Sequence, residues 1–258
     1  MAESAKRRLL YQLVGLGLPI VGREQDPAEG LAFEFLSSAG GEPVTTGHQD
    51  GIIAMDLAES DDVHREGVRH TMGEPYRTVL GHLRHEIGHY YWMVFARDEG
   101  RLSQIRWLFG DDTIDYADAL KSHYGSGRQT GWEQTYVSAY ATAHPWEDWA
   151  ETFAHYLHIR ATLQTAAAYG LVVTGPAVAE GTPMAETLAS TPDEDLDDAP
   201  FHAILADWLP LTYALNELNR TMGRDALYPF VLAPAVVHKL ALVHRMVTQV
   251  AREQEAVA

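Results

Sequence analysis

The sequence predicts an α+β fold that is mostly α. Apolar residues recur at helical spacing over several long stretches. Only two short runs, 31–36 and 51–57, read as strands, and both lie in the N-terminal third. The C-terminal half carries two proline-led helix starts, at Pro145 and Pro234. The chain has 258 residues, of which 46% are hydrophobic and 21% charged. That composition supports a sizeable core and excludes a disordered tail, a collagen or a membrane bundle. One domain over residues 1–258 is the simplest expectation at this length.

The elements follow in order. Lys6-Arg7-Arg8 before Leu9–Val21 imitates the start of a signal peptide, but Gln12, Pro19 and the glycines thin the apolar run. An amphipathic helix from Ala5 to Leu16, stopped by Gly17, fits better. Leu31–Leu36 and Gly51–Leu57 are the strand candidates and could pair in a small sheet. From Asp61 the chain turns helical, and Pro75 could open a long helix to about Phe95, with Val79, Leu83, Ile87, Tyr90, Tyr91 and Val94 on the apolar positions. Short helices are expected at Arg101–Phe109 and Asp115–His123. A glycine-rich loop at Gly125–Gly131 follows, then a helix at Thr135–Ala141. Pro145 opens a helix to about Thr165. Residues 179–199 read as a mobile acidic loop containing Asp193-Glu194-Asp195-Leu196-Asp197-Asp198. Helices at Phe201–Met222 and Pro234–Glu255 close the chain. No run approaches the ~20 apolar residues of a membrane span.

The formal net charge is −17. So acidic a chain repels phosphate backbones and anionic membranes, so neither nucleic acid nor a membrane is an expected partner. There is no cysteine, which excludes disulfides, thiolate metal sites and cysteine nucleophiles within this sequence. A cytoplasmic location is the expectation. Any metal must be held by His, Asp or Glu, and His is abundant at 13 residues.

The chemistry concentrates in His85-Glu86-Ile87-Gly88-His89. At 3.6 residues per turn, His85 and His89 share a helix face one turn apart, and their imidazoles can converge on one ion. Glu86 sits ~100° round the helix, where it can hold a water bound to that ion. His82, one turn earlier, is read as supporting or solvent-facing rather than ligating. A third, acidic ligand is expected on a second helix, at His144-Pro145-Trp146-Glu147-Asp148-Trp149-Ala150-Glu151-Thr152-Phe153-Ala154-His155. Glu147, Glu151 and His155 step by four and share a face, but Glu147 and His155 stand ~12 Å apart along the axis. Spacing alone leaves Glu147 and Glu151 both open as the ligand.

HExxH followed by a Glu-x-x-x-Glu helix resembles the gluzincin metallopeptidases. The run from Tyr140 through Glu147-Asp148-Trp149-Ala150-Glu151 is similar to the lethal-factor-type toxin proteases. More broadly, most of the chain resembles a bacterial family of zinc-binding metallopeptidases, at Ala5–Leu10, Glu74–Arg77, Gly81–Trp92 and His144–Glu151. Members often carry a cysteine-rich zinc ribbon before the Lys-Arg-Arg helix, and this cysteine-free sequence is expected to do without it. The resemblance implies a zincin-like fold, one Zn²⁺ per chain on His85, His89 and Glu147, and Glu86 as general base. It also implies Glu151 holding a ligand histidine and Tyr140 facing the reacting carbonyl. The implied activity is zinc-dependent hydrolysis of a peptide or protein substrate. A zinc protein without catalysis, or an interaction module using Trp132, Trp146 and Trp149, are the competing readings. Oligomeric state is not encoded in any motif.

Overall fold

A computed structural model describes residues 1–38, 44, 46–60, 78–126, 129–175, 189–190 and 199–257. Among them are seven α-helices: α1 (Ala2–Gly15), α2 (Val79–Ala96), α3 (Glu99–Phe109), α4 (Tyr116–Ser126), α5 (Pro145–Ala168), α6 (Phe201–Thr221) and α7 (Pro234–Val257). Three strands, β1 (Ala32–Leu36), β2 (Gly47–Gln49) and β3 (Ile52–Asp56), form one small sheet, and β4 (Val173–Thr174) pairs with β5 (Ala189–Ser190). The mostly α, α+β architecture is the expected one. The expected acidic loop lies almost wholly outside the described residues, as do the segment 61–77 and part of the Gly125–Gly131 loop. No helix among the described residues is long and apolar enough to cross a membrane.

The chain divides into two units, Met1–His155 with Val231–Ala258, and Tyr156–Phe230. In the first, β1 and β3 pair in parallel, Ala32 opposite Ile52 and Leu36 opposite Asp56. The alternation in β3 buries Ile53 and Met55 on one face. β2 was not expected. It joins β3 antiparallel through the two-residue turn Asp50-Gly51, where φ is +47° and +82°. Positive φ at both central residues is the hairpin geometry that Asp-Gly favours. A side chain at Gly51 would also strike the Glu29 carbonyl, at 2.2 Å.

Thr78 caps α2, its hydroxyl accepting from the Gly81 N–H at 2.9 Å. The apolar face of α2 buries Leu83, Ile87, Tyr91 and Phe95 completely. Trp149 of α5 packs edge-on against Trp92, Phe95 and Phe109, at 5.8, 5.9 and 5.4 Å between centroids. Gly88 lets the two helices touch: a Cβ there would lie 2.9 Å from Ala150 Cα and 3.1 Å from its carbonyl oxygen. The Trp149 indole N–H donates to the Gly88 carbonyl at 2.9 Å and pins the crossing.

The helix expected at Thr135–Ala141 is absent. In its place are two 3₁₀ turns, Trp132–Gln134 and Tyr140–Thr142. The reason is competition for the backbone. The buried Lys239 ammonium takes the Thr135 carbonyl at 2.8 Å, and the Ser138 hydroxyl accepts the Ala141 N–H at 3.2 Å. Neither group is left for an α-helical ladder.

In the second unit, Trp208 stacks edge-on with Tyr228 at 5.0 Å, and His158 packs on both. The Asn216 amide closes a double bond with the Tyr228 backbone, donating to its carbonyl and accepting from its N–H, each at 2.9 Å.

Candidate metal centre

The site lies within the first unit, where α2 crosses α5. His85 and His89 project from α2, one turn apart, with Nε2 atoms 3.2 Å from each other. Glu147 enters from the first turn of α5, its Oε2 3.0 Å from His85 Nε2 and 3.6 Å from His89 Nε2. These three residues could together hold a metal ion. The spacing supports this. Ligand atoms ~2.0–2.1 Å from a tetrahedral zinc stand ~3.3 Å apart, and the three edges here bracket that value. The donor chemistry agrees. Glu147 is almost wholly buried, and its Oε2 has no hydrogen-bond partner. A buried carboxylate oxygen without a donor is costly unless a cation meets it.

Glu151, one turn further along α5, faces His85 from the other side. The His85 Nδ1–Glu151 Oε1 distance is 2.7 Å. With Nδ1 held by Glu151, Nε2 is the nitrogen that faces Glu147, the atom a metal would take in place of a proton. Burial disfavours charge on His85, yet carboxylates on both its nitrogens raise its pKa well above the ordinary value. Glu151 also hydrogen-bonds Ser138.

Glu86 lies beside the cluster, buried at 5% exposure. Burial would raise its pKa. The His82 hydrogen bond at 3.1 Å and the nearby imidazoles outweigh that and hold it at about 2, so it is a carboxylate. His82 therefore supports Glu86, outside the ligand cluster.

Tyr140 stands on the metal side, its ring 5.9 Å from the His85 ring. The 3₁₀ turn ends at Thr142 and Pro145 starts α5, and this break between them lets a residue seven before Glu147 turn back toward it. Burial, then the Glu147 charge, push the Tyr140 hydroxyl far above its ordinary pKa, so it stays protonated as a donor. His123 packs against it from α4 at 6.2 Å.

Two residues at this site carry no sequence motif. The Tyr116 hydroxyl donates to Glu147 Oε1 at 2.6 Å. His48 of β2 stacks on His89, with centroids 6.3 Å and planes 16° apart. His48 Nε2 accepts the Gly51 N–H at 3.1 Å, and burial and the His89 charge lower its pKa to about 4. The Asp-Gly turn signal could have revealed the strand that carries His48. Nothing local marks Tyr116.

Comparison with known proteins gives a consistent picture. A family described as "Putative zinc-binding metallo-peptidase" matches residues 1–246. Proteins of Mycobacterium tuberculosis and Mycobacterium bovis, named only as uncharacterized, are 53% identical over 255 residues, covering 98% of this chain and 71% of theirs. No solved structure matches the chain.

Proposed function

The chain belongs to the zinc-binding metallo-peptidase family, and from that premise we propose that it hydrolyses peptide bonds in peptide or protein substrates, using one Zn²⁺ held by His85, His89 and Glu147. The observation that supports this most is the convergence of three ligand atoms beside an ionised, buried Glu86. A carboxylate aimed at the ligand cluster is what general-base hydrolysis needs. Zinc, when bound, supplies a Lewis acid that polarises the scissile carbonyl and acidifies a water.

The chain's own groups do the rest. Glu86 Oε takes the water's proton and later delivers it to the leaving amine. His82 keeps one Glu86 oxygen occupied, so the other is free for that transfer. Glu151 orients His85 and stabilises the positive charge drawn onto its ring. Tyr140 donates its hydroxyl proton to the carbonyl oxygen as charge builds there. A cysteine-free chain needs no oxidising compartment to fold, which supports the cytoplasm as its place of action.

The test is Glu86→Gln, which keeps the side chain's shape and removes its basicity. Zinc content should equal that of the wild type, while cleavage of a broad peptide library falls by orders of magnitude. Equal cleavage by both proteins ends the peptidase reading.

A further inference from the structure

Tyr116 is the first residue of α4, and Asp115 before it caps the helix, its carboxylate accepting the Asp118 N–H at 2.8 Å. The ring is gripped by its own surroundings. His144 packs edge-on at 5.2 Å and Trp146 at 5.8 Å. His144 is itself fixed at both ring nitrogens, by the Ile114 carbonyl at 3.2 Å and the Trp146 N–H at 3.1 Å. The hydroxyl position is thus set without help from an ion.

That hydroxyl has one proton. It is committed to Glu147 Oε1 in a short, charge-assisted bond at 2.6 Å. The other carboxylate oxygen, Oε2, is the one that faces both ligand histidines and has no donor.

We propose that Tyr116 is a positioning residue for the metal: its proton holds Glu147 to one metal-facing oxygen. The inference rests on the zinc peptidase reading. Free to rotate, Glu147 offers either oxygen or both; with Oε1 occupied it offers Oε2 alone.

The experiment compares zinc affinity, by competition with a chromophoric chelator, in wild type, Tyr116→Phe and Tyr140→Phe, and records the visible spectrum after cobalt substitution. Tyr116→Phe keeps the packed ring and deletes the hydroxyl. Its zinc affinity should fall roughly ten- to a hundredfold, and its cobalt spectrum should change as Glu147 alters its binding. Tyr140→Phe should keep wild-type affinity. If Tyr116→Phe binds zinc as tightly as wild type with an unchanged cobalt spectrum, Tyr116 is a packing residue and the proposal is overturned, while the metal site stands. A wild-type chain that takes up no zinc overturns the metal reading and this inference together.

Discussion

At the scale of single residues, the centre is a set of buried groups whose charges are settled by neighbours. His155, one turn beyond Glu151 on α5, shows the cost. It is buried at 8% exposure, and desolvation lowers its pKa from 6.5 to about 4. The unfolded imidazole takes a proton as pH falls through 6.5, whereas the folded one resists until about 4. Stability is therefore lost as pH falls through that window, by up to about 3 kcal/mol, and levels off below it. Urea melts of metal-free protein at pH 6.5 and 4.5 should show a smaller loss for His155→Gln than for wild type. His48, held near 4 by its own burial, keeps part of the slope in the variant. Identical slopes would show that His155 protonates freely in the fold. The His85-Glu86-His89 set was legible because helical periodicity alone brings those residues together. Spacing left Glu147 and Glu151 as alternatives, and the resemblance assigned Glu147 to the ion and Glu151 to a ligand histidine; in the fold, Glu147 faces both Nε2 atoms and Glu151 faces His85 Nδ1. Tyr116 and His48 were not legible, since each reaches the centre through a contact between distant segments.

Among elements, the centre depends on how closely α2 and α5 approach. Gly88 and Ala150 meet with no side chain between them, and a methyl at Gly88 meets backbone that cannot swing away. Gly88→Ala should destabilise the fold by ~1–3 kcal/mol through overpacking, partly offset by the ~1 kcal/mol by which alanine favours a helix. The more telling effect is on zinc. Spreading the helices moves Glu147 from the histidines, so affinity should drop in chelator titrations while the ligands themselves are intact. A variant of unchanged melting temperature and affinity would mean that the contact is slack. Long amphipathic helices were readable within a few residues of their ends, because period 3.6 and the prolines at 145 and 234 mark them. The 132–142 stretch was misread for a physical reason: Lys239, a hundred residues away, takes the carbonyl that a helix would have used. Short β2 was hidden by its three-residue length, although its Asp-Gly turn was in plain view.

Within the first unit, segments distant in sequence meet through a buried ion pair. Lys239 of α7 pairs with Asp148 of α5 at 2.6 Å, both almost fully buried. Its ammonium also lies over the Tyr136 ring at 4.3 Å. Burial pushes the Asp148 carboxyl up to about 7, even with the ammonium beside it. Asp148 follows Glu147, so this pair braces the first turn of α5 and the Thr135 backbone together. Lys239→Met leaves Asp148 buried without its cation, forced either to stay charged or to take up a proton, and should cost about 3–5 kcal/mol in chemical denaturation. Adding Asp148→Leu removes the unpaired carboxyl and should restore much of that loss. A double variant as unstable as Lys239→Met alone would show that the ammonium matters for Thr135 and Tyr136 rather than for Asp148.

The bare glycine–alanine crossing also orders events in time. His85 and His89 sit on one helix, but Glu147 joins them only where α2 and α5 dock, with two helices and the 3₁₀ turns between them in sequence. An ion that requires all three ligands has nothing complete to grip in the collapsing chain. If helix docking limits the rate of folding, such an ion would act as a latch: it would slow unfolding and leave the speed of folding unchanged. A newly made chain in a zinc-poor cell would then still reach its fold, and wait there for its metal.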